Sequence, residues 1–322
     1  MKENDFKRIC KIIDSEECVA FLGAGACTAF TNHEGKIIRG LPTGWDLAKK
    51  ITEKCWSLNG RKIIKKCPTI DGKECEIILD KDYDLMTAAE HYIYECSGKR
   101  KELEELITNE IDIPCGPRPI HTALAQLNSI KFIITTNYDT LMETALDTYL
   151  RRKTLHIHRR SSSRQANLVY KHNMNEKEVV LHKMHGTISE PDTFIITKSD
   201  YVSYIASLYK EDSGMPGLLR REVLPQYNLL FLGYGLEDWD FQVIWKGVLS
   251  NRDTNNQELV SYALVKPTTE ENRNYVQAEY WRNQHVNVIE KDLTDFAEQL
   301  AAHYNLEIPE LNIKKQEAGG GS

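Results

Sequence analysis

Short apolar runs alternate along the chain with longer stretches in which apolar residues recur every three or four positions. The runs lack strict apolar–polar alternation, which is typical of strands covered on both faces. Predicted strands lie at 18–22, 131–135, 178–183, 194–196, 228–232, 261–265 and 286–289. Strands interleaved with helices predict an α/β fold, with a Rossmann-like, mostly parallel sheet and helices on both faces.

Helical periodicity fills most of the intervening chain. Predicted helices lie at 5–15, 43–55, 84–96, 99–109, 121–127, 141–151, 198–209, 239–249, 269–282 and 292–304. Residues 56–118 interrupt the strand–helix alternation, and their charge and helical pattern predict an inserted helical subdomain. The polar and basic stretch 151–175 is expected to form a long loop or a hairpin.

These patterns place residues 1–304 in one domain and leave 305–322 as a tail. The tail ends in Glu317-Ala318-Gly319-Gly320-Gly321-Ser322, a composition typical of a flexible linker of the kind that cloning introduces.

Charge and cysteine usage narrow the protein class. The 322 residues include 41 basic and 47 acidic side chains, a net charge of −6, which argues against a globally basic nucleic-acid-binding protein. The apolar runs are far shorter than the roughly 20 residues of a membrane span, and the polar start differs from a secretory signal. Eight cysteines without a CxxC pair favour reduced core thiols over a four-thiolate zinc site. We therefore expect a cytoplasmic protein without a membrane association.

Chemistry-bearing residues follow two of the predicted strands. Gly23-Ala24-Gly25 follows the first, where small residues let peptide N–H groups approach a phosphate, although a ligand-free tight turn needs the same residues. Asn137 and Asp139 follow the strand at 131–135. An amide can donate to and accept from a sugar hydroxyl or a water, whereas Asp139 either accepts from hydroxyls or caps the next helix.

Two further motifs follow later strands. His185-Gly186 places an imidazole, with an ordinary pKa of about 6.5, where it can act as a base; a structural histidine is the alternative. In Gly233-Tyr234-Gly235, two glycines flank an aromatic ring and form a turn that can pass beneath a ribose or base. A capped strand-to-helix turn without a ligand is equally consistent with that motif.

The order of these motifs resembles the sirtuin superfamily, and more closely its SIR2-like branch found in bacterial anti-phage defence proteins. The resemblance covers roughly residues 16–250, and the matching residues are Gly23-Ala24-Gly25, Gly40-Leu41-Pro42, Pro119 and His121, Thr135-Thr136-Asn137-Tyr138-Asp139, His185-Gly186 and Gly233-Tyr234-Gly235. The lysine-deacetylase sirtuins carry a paired-CxxC zinc module that is missing from this sequence. Ala26-Cys27 also stands where they have a serine, and Thr43-Gly44-Trp45 where they have Phe-Arg. Deacetylation is therefore not expected.

The resemblance implies a SIR2-like domain over 1–304 that hydrolyses NAD⁺ to nicotinamide and ADP-ribose, without a metal, as a defence effector that depletes NAD⁺. Asn137 would hold the attacking water or the ribose hydroxyls, Asp139 would anchor the ribose side or order that motif, and His185 would act as general base on the water or a ribose hydroxyl. The NAD⁺-binding residues implied are Gly23, Ala24 and Gly25 at the diphosphate, Gly233, Tyr234 and Gly235 at the adenosine half, and Cys27, Pro42 and Thr136.

Other functions remain open from the sequence alone. The same pocket would serve an NAD⁺- or ADP-ribose-binding regulatory module without significant turnover. The basic segment 151–164 is interpreted as a solvated loop rather than a nucleic-acid-binding surface, given the net acidity. The resemblance further implies a homo-oligomer and a trigger supplied by a partner protein, a fused domain or a phage component.

Overall fold

The computed structural model describes most of the chain. The described residues are 3–55, 57–59, 62–66, 74–78, 84–94, 98–160, 174–208, 215–235, 242, 245–246, 259–267 and 278–311. Most of the predicted helices at 239–249 and 269–282, the motif residues after Gly235, and the linker-like end lie outside these residues.

A seven-stranded parallel sheet forms the centre of the molecule, as the apolar runs predict. The strands of the chain are β1 (Cys18–Leu22), β2 (Phe30–Thr31), β3 (Ile37–Ile38), β4 (Ser57–Asn59), β5 (Lys62–Lys66), β6 (Glu74–Ile78), β7 (Phe132–Thr135), β8 (Arg152–Ile157), β9 (Glu178–Lys183), β10 (Asn228–Leu232), β11 (Ser261–Val265) and β12 (Val286–Glu290). The order across the central sheet is β12-β11-β10-β1-β7-β9-β8, and every neighbouring pair is parallel.

Helices cover both faces of this sheet. They are α1 (Glu3–Asp14), α2 (Gly44–Cys55), α3 (Leu85–Tyr94), α4 (Arg100–Ile111), α5 (Pro119–Gln126), α6 (Leu141–Thr148), α7 (Lys198–Leu208) and α8 (Leu293–Tyr304), with a π-helical turn at Leu219–Val223. In the part of the chain that the structure describes, none of the helices combines the length and the apolar character needed to cross a membrane.

Side chains along β1 show how the two faces are filled. Ala20 and Leu22 point into a core that they share with α1, α5 and α8, whereas Phe21 points into the opposite core with α7. Phe21 stacks on Phe231 of the neighbouring strand β10 at 4.6 Å between ring centroids. Because both faces are buried, the strands carry continuous apolar runs, which explains why the sheet is visible in the sequence.

Two predictions about strands were wrong. The apolar run 194–196 is a buried, irregular segment, in which Tyr138 Oη donates to Ile195 O at 2.6 Å and Arg100 Nη2 donates to Phe194 O at 2.7 Å. An apolar run cannot distinguish a strand from irregular backbone whose polar groups are satisfied by side chains. The basic stretch after 151, predicted as a loop or hairpin, begins with β8, an edge strand whose polar residues suit partial exposure.

The prediction of a helical insertion at 56–118 needs a correction over its first part. Strands β4, β5 and β6 form an antiparallel sheet there, before α3 and α4. Each of β5 and β6 contains a pair of adjacent isoleucines, and β-branched residues favour strands. The high charge of the segment obscured this local signal.

The helices α2, α3 and α4 build a third core at the carboxyl edge of the sheet. Their buried residues, among them Ile51, Leu103 and Ile107, pack with Cys27 and Tyr138 from the loops that follow β1 and β7. The insertion is therefore joined to the edge where the candidate chemistry lies.

Candidate active site

Four adjacent strands deliver the predicted motifs to one edge of the sheet. Leu22 pairs with both Leu232 and Thr135, and Thr135 pairs with Lys183, so β10, β1, β7 and β9 end at the same level. The motifs at 23–25, 136–139, 185–186 and 233–235 leave the sheet directly after these ends. Ligands of parallel α/β sheets bind at this edge.

The two glycine motifs pack against each other. Gly23 N donates to Leu232 O at 2.9 Å, and Gly25 N donates to Gly233 O at 2.8 Å. A Cβ on Gly25 would lie 2.8 Å from Gly233 O, and Gly233 has a φ of +80°, in the region that favours glycine. The glycines therefore hold two loops together, and the N–H groups of Gly23 and Gly25, expected at a diphosphate, are bonded to carbonyls. Ala24 between them is exposed.

Tyr234 lies beneath the same edge. Its hydroxyl donates to Leu22 O at 3.1 Å and lies 3.3 Å from Thr136 Oγ1, which joins the ends of β10, β1 and β7. Tyr234 and Thr136 are both buried, so they support the floor of the site in this structure.

The amide of Asn137 has a defined orientation. Nδ2 donates to Gly23 O at 3.0 Å and to Cys27 Sγ at 3.2 Å. An amide nitrogen carries two hydrogens, so both are used and the carbonyl oxygen Oδ1 is left as the group that can accept from a ligand. Asn137 is also half-buried, whereas Tyr138 and Asp139 beside it are buried.

Cys27 connects the amide to a carboxylate and an imidazole. Its Sγ donates to Asp139 Oδ2 at 3.1 Å and lies 3.8 Å from His121 Nε2. Burial and the neighbouring Asp139 raise the pKa of the Cys27 thiol well above its ordinary value, so the sulfur keeps its proton. Pro42 is half-buried beside this residue, because Leu41 N donates to Cys27 O at 2.8 Å.

Asp139 uses both of its carboxylate oxygens within the protein. Oδ1 accepts from Leu141 N at 2.9 Å, so the carboxylate caps the start of α6. Oδ2 accepts from the Cys27 thiol, so the same carboxylate joins the start of α6 to the loop that follows β1. The alternative interpretation of Asp139 as a helix cap is thus observed, and its second oxygen orders the Asn137 loop.

His121 has no sequence signal beyond the family motif, and the structure places it beside Cys27. Its Nδ1 accepts from the backbone N–H of Arg118 at 3.1 Å. Burial is the main cause that lowers the pKa of His121 to about 4, so the ring is neutral near pH 7. A neutral ring that accepts at Nδ1 carries its proton on Nε2, which faces Cys27.

The same tautomer bears on metal binding. One ligand atom each from Cys27, His121 and Asp139 lie within 4.8 Å of one another, close enough for a metal ion. Coordination by His121 Nε2 would require that nitrogen to lose its proton while Nδ1 still accepts from Arg118. Metal-bound histidines instead donate from their second nitrogen. The three side chains therefore fit a hydrogen-bonded network better than a metal centre.

His185 packs against two tyrosines of α7. Its ring lies edge-to-face against Tyr201 at 5.1 Å and Tyr204 at 5.5 Å, and Tyr201 Oη is 3.5 Å from Nδ1. Burial lowers the pKa of His185 to about 3, so the imidazole is neutral. Asn137 thus bonds toward β1 while His185 packs toward α7, although the two residues follow adjacent strands.

Part of the chain is similar to known proteins. Residues 131–289 match the model of a family described as SIR2-like domain. A protein of Acinetobacter baumannii (strain 532279) named NAD(+) hydrolase ThsA is 30% identical over 212 residues, which cover 60% of this chain and 40% of that protein. Proteins of the same name from Bacillus cereus (strain MSX-D12) and Enterococcus faecium are 25% and 28% identical, over 61% and 51% of this chain and 38% and 32% of their own lengths. The matched part of the chain thus spans less than half of each relative.

Proposed function

Because residues 131–289 match the SIR2-like domain family, we propose that the chain hydrolyses the bond between nicotinamide and ribose in NAD⁺, releasing nicotinamide and ADP-ribose. The observation that carries the proposal is the fixed amide of Asn137, whose two N–H groups are bonded within the protein and whose Oδ1 remains to bind a ligand. The relatives' name, NAD(+) hydrolase, supports the same substrate.

The reaction needs little acid catalysis. The C–N bond breaks with its electron pair going to the pyridine nitrogen, so nicotinamide leaves as a neutral molecule and positive charge develops on the ribose. A water oxygen then bonds to the anomeric carbon, and one proton of that water passes to a base. Orienting the water and the ribose can therefore account for much of the rate enhancement.

Asn137 and His185 take distinct roles in this mechanism. Asn137 Oδ1 accepts a hydrogen bond from the attacking water or a ribose hydroxyl. Burial lowers the pKa of His185 to about 3 and so keeps the imidazole neutral near pH 7, and this neutral ring is the proposed acceptor of the proton.

Dinucleotide binding falls to the groups exposed along the sheet edge. Ala24 and Gly235 are exposed in the loops that follow β1 and β10, and Pro42 is half-buried in the segment between β3 and α2. The orientation of Asn137 is held by Cys27, which in turn contacts Asp139 and His121. The interlocked Gly23, Gly25 and Gly233 set the spacing of the two loops rather than donate to the diphosphate.

In the cell, the activity would deplete NAD⁺ as an abortive-infection response to phage. An uncontrolled NAD⁺ hydrolase is toxic to its host, so we expect an oligomer that is held silent until a partner protein, a fused domain or a phage component triggers it. This biological role rests on the family resemblance, whereas the relatives' name supports only NAD⁺ as the substrate.

Product analysis tests the proposal. Purified protein is incubated with NAD⁺, with and without the product of the neighbouring gene, and nicotinamide and ADP-ribose are quantified. Asn137→Ala and His185→Ala should each lower kcat by on the order of 100-fold or more. The matched control His33→Ala alters an exposed histidine paired with Glu298 and should leave kcat unchanged.

The outcome also separates hydrolysis from binding alone. Saturable binding of NAD⁺ without nicotinamide release under either condition would contradict hydrolysis and leave a regulatory binding module. Near-wild-type turnover by folded Asn137→Ala or His185→Ala would show that the residue roles are wrong.

A further inference from the structure

A buried ion pair lies directly behind the turn that carries Asn137. Lys183, the last residue of β9, has a side chain that is 0% exposed, and its Nζ donates to Glu143 Oε1 at 2.8 Å. The same nitrogen donates to Tyr138 O at 3.4 Å and to Asp139 O. An ammonium group has three N–H donors, so these three acceptors use all of them.

Stability alone does not account for this pair. Removing a lysine and a carboxylate from water costs several kcal/mol per ion, and a well-packed apolar pair of similar volume is often as stable or more so. Glu143 gains some stabilisation because it stands in the first turn of α6, where the helix dipole favours a carboxylate. Its second oxygen, Oε2, is nevertheless buried without a hydrogen-bond partner among the described residues.

The contacts of Lys183 converge on the backbone of the site. Tyr138 and Asp139 are consecutive, and their carbonyls belong to the turn between β7 and α6 that also contains Asn137. Met184, the next residue after the lysine, donates its N–H to Thr135 O at 2.8 Å. One ammonium thus joins the turn to the strand that leads into His185.

We propose that Lys183 is a positioning residue for NAD⁺ cleavage: its bonds to the Tyr138 and Asp139 carbonyls hold the turn in the conformation that presents Asn137 Oδ1 to the ligand. The inference rests on the proposed function. Lys183 itself contacts neither the water nor the ribose in this mechanism. Glu143 Oε1 accepts from the same Nζ and so helps to direct the lysine side chain at the turn.

A double substitution separates positioning from stability. Lys183→Met alone leaves Glu143 as a buried unpaired charge and should lower Tm strongly. Lys183→Met combined with Glu143→Met replaces the pair by apolar side chains and should recover most of the Tm. The carbonyls of Tyr138 and Asp139 still lack the lysine donor in this double variant. The kcat should therefore stay about 10- to 100-fold below wild type, while KM changes less.

Two further variants serve as controls. Glu143→Gln keeps an acceptor for Lys183 and should retain kcat within about threefold of wild type. Lys131→Met removes another buried lysine, which donates to Asn175 O and Glu176 O at the start of β7, at the opposite edge of the sheet. It should lower Tm without lowering kcat. A stable double variant with wild-type kcat would overturn the positioning role.

Hydrogen–deuterium exchange tests whether Lys183 orders the turn between β7 and α6, and it does so without measuring turnover. Backbone amides of residues 136–141 should exchange faster in the double variant than in wild type or Lys131→Met. Unchanged exchange at 136–141 would overturn the proposal even where kcat falls. If the wild-type protein releases no nicotinamide, the proposed hydrolysis of NAD⁺ is wrong. The exchange rates still show in that case whether Lys183 orders the turn.

Discussion

At the scale of single residues, one sulfur atom organises the polar groups of the candidate site. Cys27 accepts from Asn137, donates to Asp139 and lies beside the Nε2 proton of His121. Its high pKa keeps the thiol a donor rather than a thiolate nucleophile. The catalytic oxygen proposed here, Asn137 Oδ1, therefore depends on a residue that touches no reacting atom.

Replacing this sulfur tests that dependence. Cys27→Ser retains a group that accepts and donates, so most of the kcat for NAD⁺ cleavage should remain. Cys27→Ala leaves an amide N–H and a carboxylate oxygen without their partner, which costs about 1–3 kcal/mol, and kcat should fall about tenfold or more. Steady-state kinetics and Tm of both variants provide the measurement.

Cys18 supplies the matched control within the same strand–loop unit. It is buried in β1, and burial alone raises its pKa to about 12. Cys18→Ala should lower Tm and leave kcat unchanged. Equal loss of kcat in Cys27→Ser and Cys27→Ala would contradict the hydrogen-bonding role of the Cys27 side chain.

At the scale of elements, two loops depend on each other for their shape. Gly25 and Gly233 approach so closely that a methyl group on either would meet backbone atoms of the other loop. Backbone atoms cannot rotate away as a side chain can, so the ends of β1 and β10 tolerate little extra volume. This contact explains both glycine motifs without invoking a ligand.

Gly25→Ala should therefore destabilise the protein and its site together. The added Cβ would lie 2.8 Å from Gly233 O, and overpacking of this kind costs about 1–3 kcal/mol. Urea denaturation should show the lost stability, and kcat should fall because Asn137 is bonded to Gly23 O in the same loop.

Gly44→Ala is the control for that substitution. Gly44 starts α2, and a Cβ there meets nothing within 4 Å, so the variant should be neutral or slightly more stable. A Gly25→Ala protein as stable as Gly44→Ala would mean that the two loops separate at little cost.

At the scale of the whole molecule, buried histidines link stability to pH. The pKa of His121 is lowered to about 4 and that of His185 to about 3, chiefly by burial, against about 6.5 in an unfolded chain. Both rings are neutral in the fold, so their contribution is fully present above about pH 6.5. As the pH falls below that value, protonation favours the unfolded chain, and stability is lost until the folded pKa values are passed.

Urea denaturation at a series of pH values measures this effect. Each histidine should add up to about 1.4 kcal/mol per pH unit to the loss of unfolding free energy below about pH 6.5. His121→Asn keeps an acceptor for the Arg118 N–H and removes one titrating ring, so its stability should depend less on pH. Identical pH slopes for wild type and His121→Asn would refute a buried neutral His121.

The sequence by itself determined the class of fold and the edge of the sheet at which the candidate residues lie. Runs such as 228–232 are apolar at every position because the parallel sheet is covered on both faces. Since parallel strands end at one edge, the residues that follow them meet there, which is why Asn137 and His185 could be assigned to the same edge. Edge strand β8 and the irregular segment 194–196 escaped prediction, because one is polar and the other is apolar without being a strand.

Only the tertiary structure decided which hydrogen bonds form at this edge of the sheet. Cys27, His121 and Asp139 lie far apart in the chain, and their hydrogen bonds depend on the packing of α5 and two loops. The buried ion pair between Lys183 and Glu143 gives no distinct sequence signal, since a lysine at the end of a strand is ordinarily exposed. The periodicity of apolar residues and the composition indicate which residues are buried. The partners of a buried hydrogen bond, in contrast, are atoms that only folding brings together.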